Sequence, residues 1–387
     1  MFLSLLFYLI AFFIGVLIIR SESVLYQKTF LIMILSLLGH AAGTYLYYLS
    51  PSDSSMQYFP LAKPYFTDLG TGFVENMVWY VRYFLTGDSL LSTFYFFSAF
   101  AFLGSISWYA LYLKLIKKLP TQGPTLTWPA LILMCWPSFL LFTTGMGKDS
   151  LCFFFIPLML LSYFNIRDRK NLAWNMFLLI FSVFLLAMLR PYLLMILSIS
   201  YYLYTFRGLR SLNIRGFLLL VGMLCVAGYS TYWVLTTQGQ FDTVNLTSIA
   251  QRSELQQDRQ AIGTFFYMPS VSPIMRLLLL PYSFIMNLCF PLFYLARNIA
   301  GYLASLENCL LIILIGTTWR FRRQVKKLFL ENRNLKLLFY FFIIGVFFLA
   351  AANTNLGLSM RQKSMYLPAF LLIYCVLYTQ RRMRKVT

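Results

Sequence analysis

The sequence predicts an all-α fold: a polytopic helical bundle of about eleven membrane-spanning helices plus one re-entrant or interfacial segment. Of the 387 residues, 60% are hydrophobic and only 11% are charged, whereas charged residues make up about a quarter of a soluble domain. The hydrophobic residues form runs close to the roughly 20 residues that a helix needs to cross a bilayer. Lys and Arg cluster in alternate gaps between these runs. We therefore expect an integral membrane protein.

The apolar runs define the expected spans. The run that begins the chain lacks the basic start and the cleavage site of a signal peptide, so we interpret it as a span. Bends are expected at Pro137 and Gly145. No soluble domain or repeat interrupts the pattern, which predicts one transmembrane domain over residues 1–387. The predicted spans are residues 2–19, 29–48, 89–113, 128–144, 150–165, 171–189, 191–206, 216–235, 299–318, 337–353 and 365–379.

The basic residues predict the orientation. Cytoplasmic loops of membrane proteins are enriched in Lys and Arg, and 22 of the 32 such residues lie in one set of gaps. These gaps are Arg20/Lys28, Lys114–Lys118, Arg167–Lys170, Arg207–Arg215, Arg320–Lys336 and Arg381–Lys385. The N-terminus is therefore expected outside and the C-terminus in the cytoplasm, with outer loops near 49–88 and 236–298. The net charge of +20 then reflects orientation and anionic lipid, and we expect no nucleic-acid partner.

Residues 273–298 are apolar enough for a further span, but a span here would place the basic gap 320–336 outside. Pro273, Pro281 and Pro291 are expected to break the segment into pieces. Broken backbone at membrane depth is tolerated where it lines a protein cavity. We therefore expect a re-entrant or interfacial segment; the alternative is a twelfth, Pro-kinked span.

The sequence argues against several kinds of chemistry. The six cysteines lie in apolar runs without CxxC spacing, so neither a disulfide framework nor a zinc site is indicated. The chain has one histidine, so a serine or cysteine nucleophile with its histidine base is not supported. We expect no metal and no cofactor.

The long outer loop 49–88 supplies candidate catalytic acids, Asp53 and Asp68. A carboxylate held against the outer face of a bundle is suited to act as a general base toward a hydroxyl group. Tyr58 is a candidate substrate-binding residue in the same loop. Flat rings on which sugars can stack are abundant there: Tyr58, Phe59, Tyr65, Phe66, Trp79, Tyr80 and Tyr83. The alternative is a solvated loop whose acids have no role.

The turn 143–150 indicates an anion site. Gly145 and Gly147 permit a tight turn, and the following helix begins near Lys148 and Asp149. A helix N-terminus attracts anions. The alternative is an ordinary capped turn.

Five further cations are expected on the outer side. Arg190 interrupts a long apolar run, and a charge near membrane depth is costly, so it normally faces a cavity and a partner. Arg361 and Lys363 have the composition of a diphosphate site, since arginine grips phosphate through paired N–H groups. Arg276 and Arg297 bracket the Pro-rich segment. The alternatives are snorkelling to the headgroups and interfacial anchoring.

Carboxylates and cations around one outer pocket suit a lipid-linked sugar donor. Nucleotide sugars are absent outside the cytoplasm, so glycosyl transfer there uses polyprenyl phosphate or diphosphate carriers. The cations would hold the departing phosphate while a carboxylate deprotonates the acceptor hydroxyl.

Five segments carry a resemblance to bacterial multispanning envelope proteins. They are SDSSMQYFPLAKPYF, WPSFLLFTTGMGKDSL, LRPYLL, LLLLPYSFIMNLCFPLFYLARNIAGYLASLEN and MRQKSMYLPAFLL. In this order they resemble polyprenyl-phosphate-dependent glycosyltransferases of the C superfamily and O-antigen or exopolysaccharide polymerases. The resemblance implies a catalytic role for Asp53 and substrate-binding roles for Arg190 and Arg361.

The chain departs from the glycosyltransferase pattern in three ways. Its acidic loop follows the second span, it has no adjacent pair of acids, and it lacks a large outer domain. A metal-dependent reaction is therefore not expected, and the acceptor is expected to be a lipid or polysaccharide.

The resemblance implies a glycosyltransferase or polysaccharide polymerase of the bacterial cytoplasmic (inner) membrane. Its partners would be membrane lipids, a polyprenyl-linked sugar donor, a glycan acceptor and polysaccharide-export proteins. Two alternatives stay open: a flippase or transporter of lipid-linked oligosaccharide, and a structural membrane subunit without chemistry.

Overall fold

The structure is a computed structural model that describes residues 2–22, 26–49, 55, 58–65, 69–117, 126–205, 273–296, 299–353 and 355–383. All regular secondary structure in these ranges is helical, and they contain no strand. A π-helix, Val81–Thr86, follows the α-helix Thr71–Tyr80, and a 3-10 helix, Phe293–Leu295, follows the α-helix Pro273–Cys289. The α-helices are α1 (Phe2–Glu22), α2 (Gln27–Leu49), α3 (Thr71–Tyr80), α4 (Leu90–Ile116), α5 (Thr127–Met134), α6 (Pro137–Phe142), α7 (Lys148–Arg167), α8 (Leu172–Leu189), α9 (Pro191–Thr205), α10 (Pro273–Cys289), α11 (Ile299–Arg320), α12 (Arg322–Glu331), α13 (Arg333–Ala352), α14 (Leu356–Lys363) and α15 (Leu367–Met383).

Seven helices in the described part of the chain are long and apolar enough to cross a membrane: α1, α2, α4, α7, α8, α11 and α13. The all-helical class is therefore confirmed, and the chain is compatible with a multi-pass membrane protein. The predicted count of about eleven spans is not confirmed. Predicted span 216–235 lies outside the described residues. Helices α9 and α15 match two predicted spans but have only 15 and 17 residues.

Predicted span 128–144 is two short helices, α5 and α6, rather than one. Pro137 has no N–H to donate, and a helix usually ends before the residue that precedes a proline. Helix α5 accordingly ends at Met134, and Pro137 begins α6. The bend expected at Pro137 is thus a full break.

The Pro-rich segment 273–298 differs in detail from the prediction. Pro273 begins α10 and Pro281 lies inside it, so Pro281 does not break the helix as expected. The helix ends at Cys289, two residues before Pro291. Its predicted re-entrant placement stays a prediction.

The described helices fall into two compact units: Met1–Leu194 with Leu371–Thr387, and Met195–Phe370. In the first unit, α4 packs against α1, α2, α5 and α7, while α8 packs against α7. Gly104 of α4 allows α7 to come close, because a Cβ there would lie 2.8 Å from the Phe153 backbone oxygen. Large side chains of α4 itself, such as Trp108 and Tyr112, are fully buried.

In the second unit, α10 packs against α11, α13 and α14, and α12 packs against α13. Helix α13 presents Gly345 to Tyr366, whose ring lies where a Cβ would be. Tyr366 also contacts Phe341, with ring centroids 5.4 Å apart. Helix α14, which carries Arg361 and Lys363, packs against both α10 and α13.

Candidate functional site

In the first unit, a buried ion pair joins the start of α7 to the break between α8 and α9. Helix α8 ends at Leu189 because Pro191 disfavours a helical conformation for Arg190, which has φ −152° and ψ 81°. The Arg190 side chain therefore leaves the helix and reaches Asp149 in the first turn of α7. The two side chains are 9% and 4% exposed.

Arg190 binds two partners. Its Nη2 donates to Asp149 Oδ1, and its Nη1 donates to the Tyr192 hydroxyl at 2.5 Å. Asp149 and Tyr192 together hold the guanidinium in one orientation. The sequence predicted a partner for Arg190, and these two residues are among its contacts.

Residues of the outer loop 49–88 and of the turn 143–150 contact each other beside this ion pair. Lys148 Nζ donates to Thr71 Oγ1 at 2.7 Å, where α3 begins. The Gly70 N–H donates to the Met188 carbonyl at 2.7 Å and fastens the middle of loop 49–88 to α8. Of the candidate residues in the first unit, Lys148, Asp149 and Arg190 therefore lie at one end of α7 and α8.

Tyr58 covers the turn that leads into α7. Its side chain is 5% exposed, and a Cβ on Gly147 would lie 3.0 Å from Tyr58 Cε2. Gly147 also has φ +157°, in the region that favours glycine. The glycine expected to allow close approach thus accommodates a tyrosine of the same chain.

The cluster of Lys148, Asp149, Arg190 and Tyr192, which we call the α7 cluster, has the chemistry of an anion site. Lys148 and Arg190 both bring positive charge to the cluster, and Asp149 pairs with Arg190. Lys148 also begins α7, where the backbone dipole favours an anion. The groups suited to interact with a phosphate here are a lysine, a helix N-terminus and an oriented guanidinium.

Five other candidate residues lie outside the described part of the chain or in the second unit. Asp53 and Asp68 lie outside the described residues. Arg276 lies in the first turn of α10. Arg361 and Lys363 belong to the second unit, where Arg361 is half-buried and Lys363 is fully buried.

Lys363 lies in a second polar cluster, at the end of α10. Its ammonium donates to the Leu288 carbonyl at 3.0 Å and to Asn308 Oδ1 at 2.6 Å. Asn308 Nδ2 donates to the Pro291 carbonyl at 2.9 Å, so both residues satisfy backbone freed where α10 breaks. The predicted phosphate contact of Lys363 stays a prediction.

The electrostatics of this second cluster are those of a dry site. Burial lowers the pKa of Lys363 to about 8, and Glu307 and Cys289 oppose the decrease. Lys363 lies outside the seven long apolar helices. Glu307 is 1% exposed, so two ionisable groups share a buried region of the second unit.

Sequence reasoning missed the neutral members of both clusters. Tyr192 follows Arg-Pro directly, and its position next to an unusual charge was the available signal. Asn287 and Asn308 are amides inside apolar segments. Because buried polar groups need hydrogen-bond partners, their positions indicate a buried polar cluster. Asn287 Nδ2 donates to the Asn353 carbonyl at 3.2 Å, and Ser359 donates to Asn287.

Within the part of the chain that the structure describes, no three His, Cys, Asp or Glu side chains are grouped to hold a metal ion. Compared with known proteins, the sequence matches no protein-family model, no curated protein and no solved structure.

Proposed function

We propose that this protein is a membrane glycosyltransferase or polysaccharide polymerase at the outer face of the bacterial cytoplasmic membrane, with a polyprenyl (di)phosphate-linked sugar as donor. The observation that carries the proposal is the α7 cluster. Lys148 and the buried, doubly held Arg190 lie together at a helix N-terminus, which fits an anionic lipid headgroup.

The cluster residues divide the work of the proposed reaction. Lys148 and the start of α7 attract the donor phosphate, while Asp149 and Tyr192 hold Arg190 in place for the charge that develops on the leaving group. The acceptor hydroxyl oxygen bonds to the anomeric carbon, and the bond from that carbon to the carrier phosphate oxygen breaks. The hydroxyl proton passes to a carboxylate, for which Asp53 is the first candidate and Asp68 the second.

Sugar transfer in proteoliposomes tests this proposal. The donor is a polyprenyl diphosphate that carries a radiolabelled sugar, and the product is labelled glycan. We expect transfer to fall by about 10²-fold or more in Arg190→Gln and in Asp53→Asn, as for loss of one charge-stabilising group or a general base. Lys327→Gln, at a side chain that is 62% exposed, is the matched control and should transfer normally.

Two results would contradict the proposal: no transfer from any polyprenyl-linked donor, or equal transfer by the wild type, Arg190→Gln and Asp53→Asn. Arg190→Lys adds a finer test. It keeps the charge but loses the planar fork, so transfer should lie between those of the wild type and Arg190→Gln.

A transporter or flippase of lipid-linked oligosaccharide is the second candidate. Its support is the second unit, where Lys363 and Glu307 are both buried, because buried ionisable residues in membrane proteins often mark a transport route. A fluorescent polyprenyl diphosphate-linked sugar distinguishes the two. Movement across the bilayer without formation of a new glycosidic bond favours the transporter, and bond formation favours the enzyme.

A further inference from the structure

A cavity of about 490 Å³ in the first unit is lined by Ala62, Trp79, Arg82, Tyr83, Gly87 and Asp88. It shares no lining residue with the α7 cluster. Its volume falls within the range of small-molecule sites, roughly 300–1,000 Å³. We call it the aromatic cleft.

The aromatic cleft has a flat apolar surface. The rings of Trp79 and Tyr83 stack with centroids 5.2 Å apart and planes 5° apart. Tyr83 is 70% exposed, so the stack is open to a ligand. Tyr83 lies in the π-helix Val81–Thr86, and π-helical turns are frequent at functional sites.

The cleft also has a charged wall. Arg82 Nε donates to Asp88 Oδ1 at 2.7 Å, and Arg82 Nη1 donates to the Phe59 carbonyl at 2.6 Å. The guanidinium carbon lies 4.0 Å from the centroid of the Phe59 ring. Arg82 is therefore fixed on three sides, while the Asp88 side chain is 71% exposed.

The backbone beyond the π-helix returns Asp88 to this wall. Gly87 has φ +56° and Asp88 has φ +63°, a conformation that is uncommon for a residue with a side chain. The Asp88 N–H donates to the Arg82 carbonyl at 3.1 Å. Two successive left-handed residues thus place an exposed carboxylate beside the aromatic stack.

We propose that the aromatic cleft binds a sugar ring of the acceptor glycan. That the sugar belongs to the acceptor rests on the proposed function, whereas the choice of a sugar as ligand rests on the residues of the cleft. The C–H face of a pyranose packs on the exposed ring of Tyr83, which Trp79 supports by stacking on its other face. Its hydroxyls donate to the Asp88 carboxylate and accept from Arg82. Because these two charges cancel, the ligand is a neutral hexose or N-acetylhexosamine unit.

The charged wall favours a sugar over lipid as the occupant. Exposed aromatic residues alone would fit the aromatic belt of a membrane protein. An exposed carboxylate at the same surface is costly against hydrocarbon, whereas a sugar hydroxyl provides it with a hydrogen bond. A membrane anchor is therefore the competing outcome of the test.

Saturation-transfer NMR with purified full-length protein tests the cleft without any donor. The probes are the methyl glycosides of glucose, galactose, mannose, N-acetylglucosamine and N-acetylgalactosamine. We expect at least one to bind saturably and to weaken roughly tenfold in Trp79→Ala and in Asp88→Asn, the loss expected for one stacking or hydrogen-bonding contact. Trp79→Phe should restore most of the binding because it keeps a flat ring.

Trp174→Ala is the matched control. Trp174 is 60% exposed but lies in the first turn of α8, at the end opposite Met188, so glycoside binding should not change. The cleft is contradicted if no glycoside binds, or if Trp79→Ala and Asp88→Asn bind as well as the wild type. The chain has seven tryptophans, so stronger quenching of wild-type fluorescence than of Trp79→Phe fluorescence by brominated lipid, with no glycoside binding, identifies a membrane anchor instead.

The test separates failure of the cleft from failure of the proposed function. Glycoside binding in a protein that transfers no sugar contradicts the glycosyltransferase proposal and leaves the cleft as a sugar site. Sugar transfer by a protein that binds no glycoside contradicts the cleft and leaves the proposed function.

Discussion

Arg190 and Asp149 are both charged and both buried. Burial of either charge alone would be costly, and the pair is held together by direct contact and by Tyr192. We interpret the pair as fixing the α7 cluster in one arrangement. We therefore expect removal of one of the two charges to destabilise the protein more than removal of both.

A double-mutant cycle measures this difference. We expect Arg190→Gln to destabilise the protein by about 3 kcal/mol because Asp149 is left buried without its counter-charge. The double variant Asp149→Asn/Arg190→Gln should lose less, and the thermal unfolding midpoint in one detergent gives the comparison. Lys327→Ala breaks an exposed pair with Glu331 and should change stability by no more than about 0.5 kcal/mol. A double variant as unstable as the sum of the singles would contradict the pairing.

Lys363 gives the second residue-scale prediction, a pH dependence. The folded protein loses the Lys363 proton near pH 8, because burial lowers its pKa to about 8, whereas the unfolded chain keeps it to about pH 10.4. Between these values the unfolded state binds more protons, so stability rises with pH, by up to about 3 kcal/mol. Lys363→Met removes this proton and should flatten the rise. Thermal unfolding of both proteins is measured at pH values from roughly 7.5 to 10, which span this window. Equal unfolding curves for the two proteins would contradict the lowered pKa of Lys363.

At this scale the sequence predicted charged residues better than neutral ones. Arg190 was evident because a lone charge in an apolar run is costly and needs a partner. Its partners were not evident, since Asp149 lies 41 residues earlier in the chain and only the fold brings the two together. The phosphate-binding role of Lys363 was predicted from composition alone. Composition does not distinguish a lysine that binds phosphate from one that donates hydrogen bonds to the carbonyls at the end of a helix.

At the scale of helices, close contacts depend on glycine. Gly104 in α4 lies against the backbone of α7, whereas Gly316 in α11 has nothing within 4 Å of the position of a Cβ. These two residues have the same chemistry and opposite surroundings, so the same substitution should have opposite effects.

Alanine substitution tests this contrast. Gly104→Ala forces α7 away from α4 and should cost about 1–3 kcal/mol. Gly316→Ala meets open space and should add about 0.5–1 kcal/mol through helix propensity. Thermal unfolding midpoints of both variants in one detergent provide the measurement. Shifts in the same direction would contradict the packing of α4 on α7.

Hydrophobic run length predicted where helices lie better than where they break. Helices α1, α2, α4, α7 and α8 follow the predicted spans closely because long apolar runs leave few alternatives. Pro137 and Pro281 show the limit: both lie in apolar runs, yet α5 ends before Pro137, which begins a new helix, whereas Pro281 lies inside one. Local sequence does not distinguish the two cases, because surrounding contacts decide whether the freed carbonyl is satisfied.

At the scale of the whole molecule, the basic residues predict that α12 faces the cytoplasm and that the aromatic cleft faces outward. Side-specific labelling tests this in a variant without the six native cysteines. A membrane-impermeant maleimide should label Tyr83→Cys in intact cells and Lys327→Cys only after permeabilisation. Both side chains are more than 60% exposed, so access is not limiting. The reverse pattern would contradict the orientation and, with it, an outer-face reaction.

The central claim, that the α7 cluster binds an anionic isoprenoid carrier, is tested most directly by photo-crosslinking. The probe is a short-chain isoprenyl diphosphate with a diazirine near its headgroup, and the adducts are mapped by mass spectrometry. We predict adducts within residues 143–150 and 188–192, competed by unlabelled isoprenyl diphosphate but not by the isoprenyl alcohol, and weakened in Lys148→Gln. Adducts spread evenly over the apolar helices, or competed equally by the alcohol, would contradict the claim.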